Sequence, residues 1–179
     1  ESRRVVLFTS AVPSEGKTFT AINYAVTLAQ QGKNTLLIDF DLRKPAVGPS
    51  FGVKTSSPGV TSYLLGENEL EAVITKSETE NFSIMTAGPR VPNPSEQLAD
   101  SDLVKQLIEE GLKRFDRVVL DTAPINAVSD TMYLVDSADV ICLVVRSAKT
   151  PYRAVERAIQ VMDRGGSKIS GIVLNFLPI

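Results

Sequence analysis

Residues 9–19, TSAVPSEGKTF, lie between an apolar run and an amphipathic one, and they are rich in small residues. Small residues allow a tight turn in which successive backbone N–H groups face one anion. Lys17 and Thr18 then supply a full positive charge and a hydroxyl oxygen. This combination is typical of loops that bind the β- and γ-phosphates of a nucleotide together with Mg²⁺. The stretch therefore predicts a site for ATP and Mg²⁺.

The predicted phosphate loop, residues 11–18, departs from the usual pattern at its first position, where Ala11 replaces a glycine. Alanine is tolerable there if the residue needs no positive φ. The alternative is a plain turn with a surface lysine, which the apolar run before it and the amphipathic run after it disfavour. The expected nucleotide-binding residues of this stretch are Ser14, Glu15, Gly16, Lys17, Thr18 and Phe19.

Acidic residues close two other apolar runs, where the predicted strands end. Asp39 and Asp41 lie in LLIDFD, and Asp121 lies in VVLDTAP. Side chains alternate along a strand, so Asp39 and Asp41 should point to the same side. Because Mg²⁺ prefers oxygen ligands, Asp121 is predicted to hold the metal directly or through water. Asp39 or Asp41 could accept a proton from an attacking hydroxyl or water, and for each aspartate alone a turn former or helix cap is the alternative.

Short, nearly continuous apolar runs recur along the chain, at residues 5–8, 36–38, 118–120, 140–145 and 171–174. Unbroken apolarity is typical of strands covered on both faces, as in a parallel sheet. Helical patterns lie between most of these runs. The alternation predicts an α/β fold, a doubly wound, mostly parallel sheet with helices on both faces, in which the strand ends meet the ligand.

Three segments carry helical periodicity. Their expected apolar faces are Ile22, Ala25, Val26 and Ala29 in the first, which ends at Gly32, and Leu103, Leu107 and Ile108 in the second, residues 101–113. The third, residues 150–164, should begin with Thr150 as its cap and Pro151 at its first helical position. The Pro-, Gly- and Ser-rich segments 42–60 and 87–98 are predicted to be loops.

The composition limits the class of protein. With 43% hydrophobic residues, the 179-residue chain can bury one sizeable core, so residues 1–179 are predicted to form a single domain. A net charge of −2 disfavours nucleic acid as a partner, which would require a basic surface. Cys142, the one cysteine, is expected to be a buried hydrophobe. No run approaches the ~20 apolar residues that span a bilayer, so we expect a soluble, cytoplasmic domain, cut from something longer.

The motifs together resemble one known family. SAVPSEGKT, LLIDFDLRKP, VVLDTAP and GPRVPNPSEQL are similar to the motifs of the cytoplasmic kinase domain of bacterial tyrosine kinases, P-loop autokinases that regulate exopolysaccharide and capsule export. The resemblance covers essentially the whole chain. In that family the first three motifs are the Walker A, Walker A′ and Walker B motifs. The resemblance thus implies an ATP-dependent protein-tyrosine kinase.

The resemblance also implies roles for particular residues. Lys17 and Thr18 match phosphate and Mg²⁺ ligands, and Asp121 matches a Mg²⁺ ligand. Asp39 and Asp41 match metal-ordering and base positions, with Asp39 included among the metal ligands and the choice of base left open. Arg43 and Lys44 would meet phosphate or the incoming substrate, with solvated loop cations as the alternative. Asn175 lies where related ATPases place an adenine-contacting side chain.

Partners and location follow from the resemblance as well. It implies a transmembrane polysaccharide co-polymerase or activator, fused or separate, a ring of identical subunits, and a place at the inner face of the bacterial plasma membrane. The implied phosphoacceptor is the tyrosine-rich tail of a neighbouring subunit. The chain departs from the family pattern because its four tyrosines are scattered and because only ESRR stands where an arginine-bearing N-terminal helix is typical.

Two other functions are alternatives. A switch ATPase of the partition or division-positioning type would hydrolyse ATP with water, but such proteins usually carry an extra lysine early in the loop, where this chain has Val12. A non-catalytic nucleotide sensor of a polysaccharide export complex would share most binding residues with a kinase. The sequence favours the kinase over the switch.

Overall fold

The computed structural model describes residues 3–177. Its strands are β1 (Val5–Ser10), β2 (Thr35–Asp39), β3 (Ile74–Lys76), β4 (Phe82–Met85), β5 (Arg117–Asp121), β6 (Val140–Arg146) and β7 (Gly171–Asn175). They form one seven-stranded sheet in the order β3-β4-β2-β5-β1-β6-β7. Every neighbouring pair is parallel except β3 with β4. The predicted mostly parallel sheet is confirmed.

The helices are α1 (Lys17–Gln30), α2 (Val47–Ser50), α3 (Val60–Leu64), α4 (Leu70–Val73), α5 (Pro94–Ala99), α6 (Ser101–Arg114) and α7 (Tyr152–Arg164), with 3-10 turns at Asp130–Tyr133 and Val135–Ser137. Helix α1 packs with Leu37 and Val119 on one face of the sheet, whereas α6 and α7 pack with Leu36 and Leu120 on the other. The predicted doubly wound arrangement is therefore confirmed. Across residues 3–177, no helix has both the length and the apolar character that crossing a bilayer requires.

Each of the five predicted strands forms at a continuous apolar run, but burial falls toward the edge strand β7, whose residues are exposed or half-buried. All residues of β1 and β2 are buried. Two further strands, β3 and β4, were not predicted. The residues of β4 are buried, but Ser83 interrupts its short apolar run, and the edge strand β3 exposes Thr75 and Lys76. An edge strand needs no continuous apolar run, so the sequence pattern of β3 is weak.

The predicted apolar faces of two helices need correction. In α1, Ala25 and Ala29 are buried as expected, but Ile22 and Val26 are only half-buried, and Ala21 joins the buried row. In α6, the placement of Leu103 was wrong, because 36% of this residue is exposed. Its place is taken by Val104, which is spaced three and four residues from the buried Leu107 and Ile108 and so lies on their face.

The start of α7 also differs from the prediction. Pro151 occupies the N-cap position and makes no side-chain cap, and the first helical residue is Tyr152. Thr150, predicted to be the cap, instead donates its hydroxyl hydrogen to the Glu15 carboxylate and accepts the Arg146 N–H. A tertiary contact has therefore replaced the local one that the sequence favours.

The segments predicted to be loops contain short helices. Helix α2 lies inside 42–60, and α5 occupies most of the second half of 87–98. Pro94 stands at the first position of α5, a start signal that the composition of the segment concealed. The N–H groups of Ala46 and Val47 at the start of α2 donate to the Asp39 carboxylate. A contact distant in sequence thus organises this turn.

The register brings the site together at one edge of the sheet. Residue Asp39 at the end of β2 is the direct neighbour of Asp121 at the end of β5, and Phe8 of β1 is the neighbour of Asp121 on its other side. The phosphate loop leaves β1 at the same edge. Parallel strands therefore bring the predicted loop and the predicted carboxylates to one place, as the sequence indicated.

Candidate active site

The phosphate loop joins β1 to α1 through two residues with positive φ, Ser14 at 67° and Gly16 at 84°. Ala11 is buried and has no positive φ, so its departure from the usual glycine is tolerated as expected. A Cβ on Gly16 would lie 2.1 Å from Asn175 Nδ2, so the Asn175 amide would have to move. The positive φ therefore favours glycine at position 16, and a side chain there would also displace Asn175.

The predicted ligands of this loop form a compact group with the carboxylates, which we call the inner cluster: Lys17, Thr18, Asp41 and Asp121. Lys17 Nζ lies 2.6 Å from Asp121 Oδ1 and 3.6 Å from Asp41 Oδ2. Thr18 Oγ1 donates to Asp121 Oδ2 at 2.6 Å. Lys17 is 7% exposed and Asp121 is fully buried. The expected convergence of the loop lysine, the hydroxyl and the carboxylates is thus present in the structure.

Burial and charge act in opposite directions on Asp121. Burial raises the pKa of its carboxyl, while the Lys17 ammonium and the Lys17 and Thr18 hydrogen bonds lower it, and the net pKa is raised. A charged carboxylate at this depth depends on Lys17 as its counter-ion. If a ligand draws Lys17 away, Asp121 must therefore gain another cation or take up a proton.

The two aspartates of LLIDFD occupy different environments, although both are buried. Asp39 lies behind the inner cluster, and its oxygens accept N–H groups of Asp41, Ala46 and Val47. Burial, followed by the nearby Asp121 charge, raises the pKa of Asp39 from 3.8 to about 7. Asp41, in contrast, lines the cavity in front of the phosphate loop. The geometry therefore distinguishes two residues that the sequence left equivalent.

The cavity has a volume of about 470 Å³ and one polar side and one apolar side. The polar side consists of the phosphate loop, Asp41, Arg43 and Lys44. Ala123, Pro124, Ala127 and Val128 contribute apolar surface to the lining. Phe19, predicted to belong to the nucleotide site, lies at the rim and is 67% exposed. A volume of this size accommodates a small ligand or part of a nucleotide.

Arg43 belongs to a second group at the entrance of this cavity, which we call the mouth cluster: Arg43, Ser95 and Asp130. Arg43 Nε donates to Asp130 Oδ2 at 2.7 Å, and its Nη2 donates to Ser95 Oγ at 2.8 Å. Ser95 Oγ donates to Asp130 Oδ1 at 2.7 Å. The hydrogen bond to Asp130 raises the pKa of Arg43 above its ordinary value. Arg43 is thus an oriented cation rather than a freely solvated one. Lys44, in contrast, is exposed and makes no ion pair within residues 3–177.

Sequence reasoning missed the partners in the mouth cluster. Ser95 lies in the quoted motif GPRVPNPSEQL, so a signal for it was present. Asp130 follows the Walker B segment in a stretch with no periodicity, and it is buried on a 3-10 turn. Glu15 was predicted for its backbone alone, yet the residue is only 2% exposed and its carboxylate accepts the Val12 N–H at 2.8 Å. Its side chain therefore organises the loop that contains it.

Asn175, proposed from the resemblance as an adenine contact, lies beneath the phosphate loop. Its Nδ2 donates to the Glu15 carbonyl at 3.1 Å, and its Oδ1 accepts the Phe176 N–H. The ring of Phe176 is covered on one side by the Arg146 guanidinium, 4.3 Å from the ring centroid. The amide of Asn175 therefore supports the loop, and adenine contact by this residue stays a prediction.

The inner cluster fits Mg²⁺ as an oxygen site completed by a ligand. Within the described part of the chain, no group of at least three His, Cys, Asp or Glu side chains could hold a metal by itself. Thr18 Oγ1 and Asp121 Oδ2 are nonetheless adjacent hard oxygens beside the phosphate loop. Mg²⁺ typically takes one or two such protein ligands and completes its octahedron with phosphate oxygens and waters. The donors present are therefore those of a metal–nucleotide site.

Comparison with known proteins places the chain among AAA-domain proteins and tyrosine-protein kinases. The family described as an AAA domain matches residues 9–164. The chain is 41% identical over 170 residues to the tyrosine-protein kinase YwqD of Bacillus subtilis, covering 95% of this chain and 71% of that protein. It is 34% identical over 171 residues to the tyrosine-protein kinase ptk of Acinetobacter johnsonii, covering 96% of this chain but 23% of that protein.

A solved structure agrees with these relatives. The crystal structure of the VpsO kinase domain superimposes with a TM-score of 0.92 at 40% sequence identity, covering 98% of this chain and 86% of that one. The match extends over the whole sheet with its surrounding helices. The arrangement of the phosphate loop and strand-end carboxylates thus occurs on a fold shared with a kinase domain.

Proposed function

The chain belongs to the bacterial tyrosine-protein kinase family, and on that premise we propose that it transfers the γ-phosphoryl group of Mg-ATP to tyrosine hydroxyls. The observation that carries the proposal is the inner cluster, in which Lys17 and Thr18 of the phosphate loop both contact Asp121. Phosphoryl transfer depends mainly on positioning and charge neutralisation, and these residues supply both.

Lys17 has a direct role in binding the nucleotide. In the structure it neutralises Asp121 and Asp41. When a triphosphate enters the loop, we propose that Lys17 turns to the β- and γ-phosphates, while Thr18 and Asp121 hold Mg²⁺. When bound, Mg²⁺ would neutralise charge on the phosphates, and Thr18 and Asp121 would hold it in place of the Lys17 ammonium. The exchange keeps the buried carboxylate compensated throughout.

Asp41 is the better candidate for the base. It lines the cavity, whereas the oxygens of Asp39 face backbone N–H groups and the interior. In the proposed step, Asp41 accepts the proton of the tyrosine hydroxyl as the tyrosine oxygen bonds to the γ-phosphorus and the bond to ADP breaks. Asp39 would hold the loop after β2 in place and order the metal site from behind. The products are phosphotyrosine and ADP.

The acceptor side of the cavity suits an aromatic ring. Pro124, Ala127 and Val128, which follow β5, present apolar surface to the cavity that the phosphate loop also lines. A tyrosine ring packed there would direct its hydroxyl toward Asp41, while Arg43 and Lys44 at the entrance would attract an anionic acceptor segment. The acceptor proposed is a tyrosine-rich tail of a neighbouring subunit, within a ring of identical subunits.

The family resemblance implies a role in capsule or exopolysaccharide export beside a membrane partner. Because the chain covers most of the Bacillus protein but a small part of the Acinetobacter protein, the same domain occurs in chains of very different length. We propose that it works with a transmembrane polysaccharide co-polymerase, fused or separate, at the inner face of the plasma membrane. No observation favours nucleic acid as a partner.

The switch-ATPase alternative is less compatible with the loop. Val12 stands where such proteins usually carry a lysine, and its N–H is taken by the Glu15 carboxylate. No other residue of the loop before Lys17 carries a positive charge. A partner subunit would therefore receive no charge from this position. The sensor alternative differs from the kinase only in the outcome of the reaction.

One experiment separates the three functions. The purified domain is incubated with γ-labelled ATP and Mg²⁺, with and without an activating cytoplasmic segment and a tyrosine-bearing tail. Labelled phosphotyrosine is expected for the kinase, free phosphate alone for the switch, and neither for the sensor. The Lys17→Met variant should abolish either product. Free phosphate without phosphotyrosine in the complete mixture would contradict the proposal.

A further inference from the structure

The hydroxyl of Thr150 makes an unexpected contact. Thr150 immediately precedes Pro151 and α7, where a threonine would ordinarily cap the helix. The hydroxyl instead donates to Glu15 Oε1 in the phosphate loop, 135 residues away along the chain, and accepts the Arg146 N–H at 3.1 Å. Departures from local structural preference concentrate at functional sites. Because the Thr150 hydroxyl contacts the nucleotide loop instead of capping α7, we expect it to have a role in that loop.

Glu15 is a buried carboxylate without a basic side chain as partner among the described residues. Its Oε2 accepts the Val12 N–H at 2.8 Å, and its Oε1 accepts the Arg146 N–H at 3.3 Å together with the Thr150 hydroxyl. The charge is therefore stabilised by three hydrogen-bond donors alone. Thr150 supplies the only side-chain donor of the three. Removing it would leave the carboxylate with two backbone donors.

The backbone of Glu15 is fixed from the opposite direction. Its carbonyl oxygen accepts Nδ2 of Asn175 at the end of β7, and the carbonyl of Asn175 in turn accepts the Ser147 N–H. Gly16, the next residue, has a φ of 84° and no free space beside Asn175. The N–H groups that would face phosphate thus depend on Glu15 being held at both its side chain and its carbonyl.

We infer that Thr150 is a positioning residue for nucleotide binding, acting through Glu15 to hold the phosphate loop in the shape that receives phosphate. This inference rests on the proposed function, because it assumes that the loop binds Mg-ATP. It assigns to the turn between β6 and α7 a part in nucleotide affinity, although Thr150 does not line the cavity. The transfer step itself is left to the inner cluster.

The Thr150→Val variant tests the inference with little change in shape. Without the hydroxyl, the Glu15 carboxylate lacks a donor and the loop should leave its present conformation for part of the time. The Kd for Mg-ATP, measured by calorimetry, is expected to rise about tenfold, while kcat at saturating ATP stays within about twofold. Thr150→Ser, which keeps the hydroxyl, should restore the wild-type Kd. Thr27→Val is the matched control, because the hydroxyl of Thr27 bonds to Asn23 on the exposed side of α1.

A double-mutant cycle identifies the pathway through Glu15. Glu15→Ala should also weaken Mg-ATP binding, and Thr150→Val should add little to it, because each change removes the hydrogen bond between these two side chains. Additive effects would show that Thr150 acts elsewhere and would overturn the inference. Thermal unfolding of each variant separates a loss of folded protein from a loss of affinity. If Thr150→Val does not fold, Thr150→Ala replaces it in the cycle.

The outcomes for the inference and for the proposed function are distinct. If the wild-type protein does not bind Mg-ATP, the proposed function fails and the inference fails with it. If the wild-type protein binds and Thr150→Val binds equally well, the inference alone is overturned. Equal losses of Mg-ATP affinity in Thr150→Val and Thr27→Val would likewise overturn the inference, because a general effect on stability would then explain both results.

Discussion

The inner cluster and the mouth cluster are both ion pairs at the same cavity, but they differ in burial. The side chains of Lys17 and Asp121 are 7% and 0% exposed, whereas that of Arg43 is 39% exposed over a buried Asp130. The inner pair joins the phosphate loop to the end of β5, and the mouth pair joins the segment after β2 to α5 and a 3-10 turn. One arrangement buries its charges and the other leaves a cation at the surface.

The difference in burial indicates that the two clusters have different functions. A buried pair is strongly destabilised when one partner leaves, unless another charge takes its place, so the inner cluster is suited to exchanging Lys17 for a metal ion. A partly exposed pair is worth little in stability but fixes the direction of an arginine. We therefore expect changes in the inner cluster to affect nucleotide binding and transfer, and changes in the mouth cluster to affect the acceptor.

Asp121→Asn should have the largest effect. It removes the charge that faces Lys17 and one oxygen from the proposed Mg²⁺ site. We expect tyrosine phosphorylation to fall about a thousandfold, with a shift to higher Mg²⁺ requirement, measured in steady-state assays. Asp136→Asn, at an exposed aspartate, is the control and should behave as the wild type. Near wild-type rates in Asp121→Asn would contradict the proposed Mg²⁺ site in the inner cluster.

Asp39, directly behind the inner cluster, should make stability depend on pH. Its pKa is raised from 3.8 to about 7, so between these values the folded protein binds a proton that the unfolded chain has lost. The free energy of unfolding of the nucleotide-free protein should therefore fall as pH rises from about 4 to about 7. Urea unfolding across this range should show that Asp39→Asn lacks this decrease. An unchanged slope in the variant would show that Asp39 titrates normally.

Asp41→Asn tests the division of labour between the two aspartates. If Asp41 is the base, kcat should fall about a hundredfold while the KM for ATP changes less. Asp39→Asn should lower the thermal stability instead, since Asp39 accepts the N–H groups that organise α2. The reverse pattern, with the larger loss of kcat in Asp39→Asn at equal stability, would assign the base to Asp39.

Asp130→Asn should have the smallest effect, and this effect should concern the tyrosine-bearing substrate rather than ATP. Without the carboxylate, Arg43 loses its orientation but keeps its charge. We expect the KM for a tyrosine-bearing peptide to rise about tenfold and the KM for ATP to stay unchanged. Ser95→Ala should follow the same direction more weakly. A rise in the KM for ATP alone would contradict this separation, because it would show that both clusters contribute to nucleotide binding.

The comparison also shows which parts of the site can be predicted from the sequence. The inner cluster was predictable because a lysine and threonine after a glycine turn, and aspartates at strand ends, converge by the topology of a parallel sheet. The mouth cluster was not, because Asp130 lies in a segment without periodicity and its contact with Arg43 spans 87 residues. The fold was likewise predictable at the five strands with continuous apolar runs, including the exposed edge strand β7, but not at β3 and β4, whose apolar runs are short or interrupted.

Two corrections share a physical cause. Thr150 carried a local signal for a helix cap, and 42–60 carried the composition of a loop. In each case a buried carboxylate of the site, Glu15 or Asp39, takes the hydrogen bonds that local preference would have used elsewhere. Sequence reasoning therefore identified the charged residues but not the backbone that they organise.

Calorimetric titration with Mg-ATP tests the account most directly, applied to the wild-type protein, Lys17→Met and Lys33→Met. Lys33 is an exposed lysine in the turn after α1, so its replacement removes the same charge away from the site. The account predicts that the wild type and Lys33→Met bind one nucleotide per chain with equal affinity, and that Lys17→Met gives no measurable heat of binding. Equal affinity in all three proteins would contradict it.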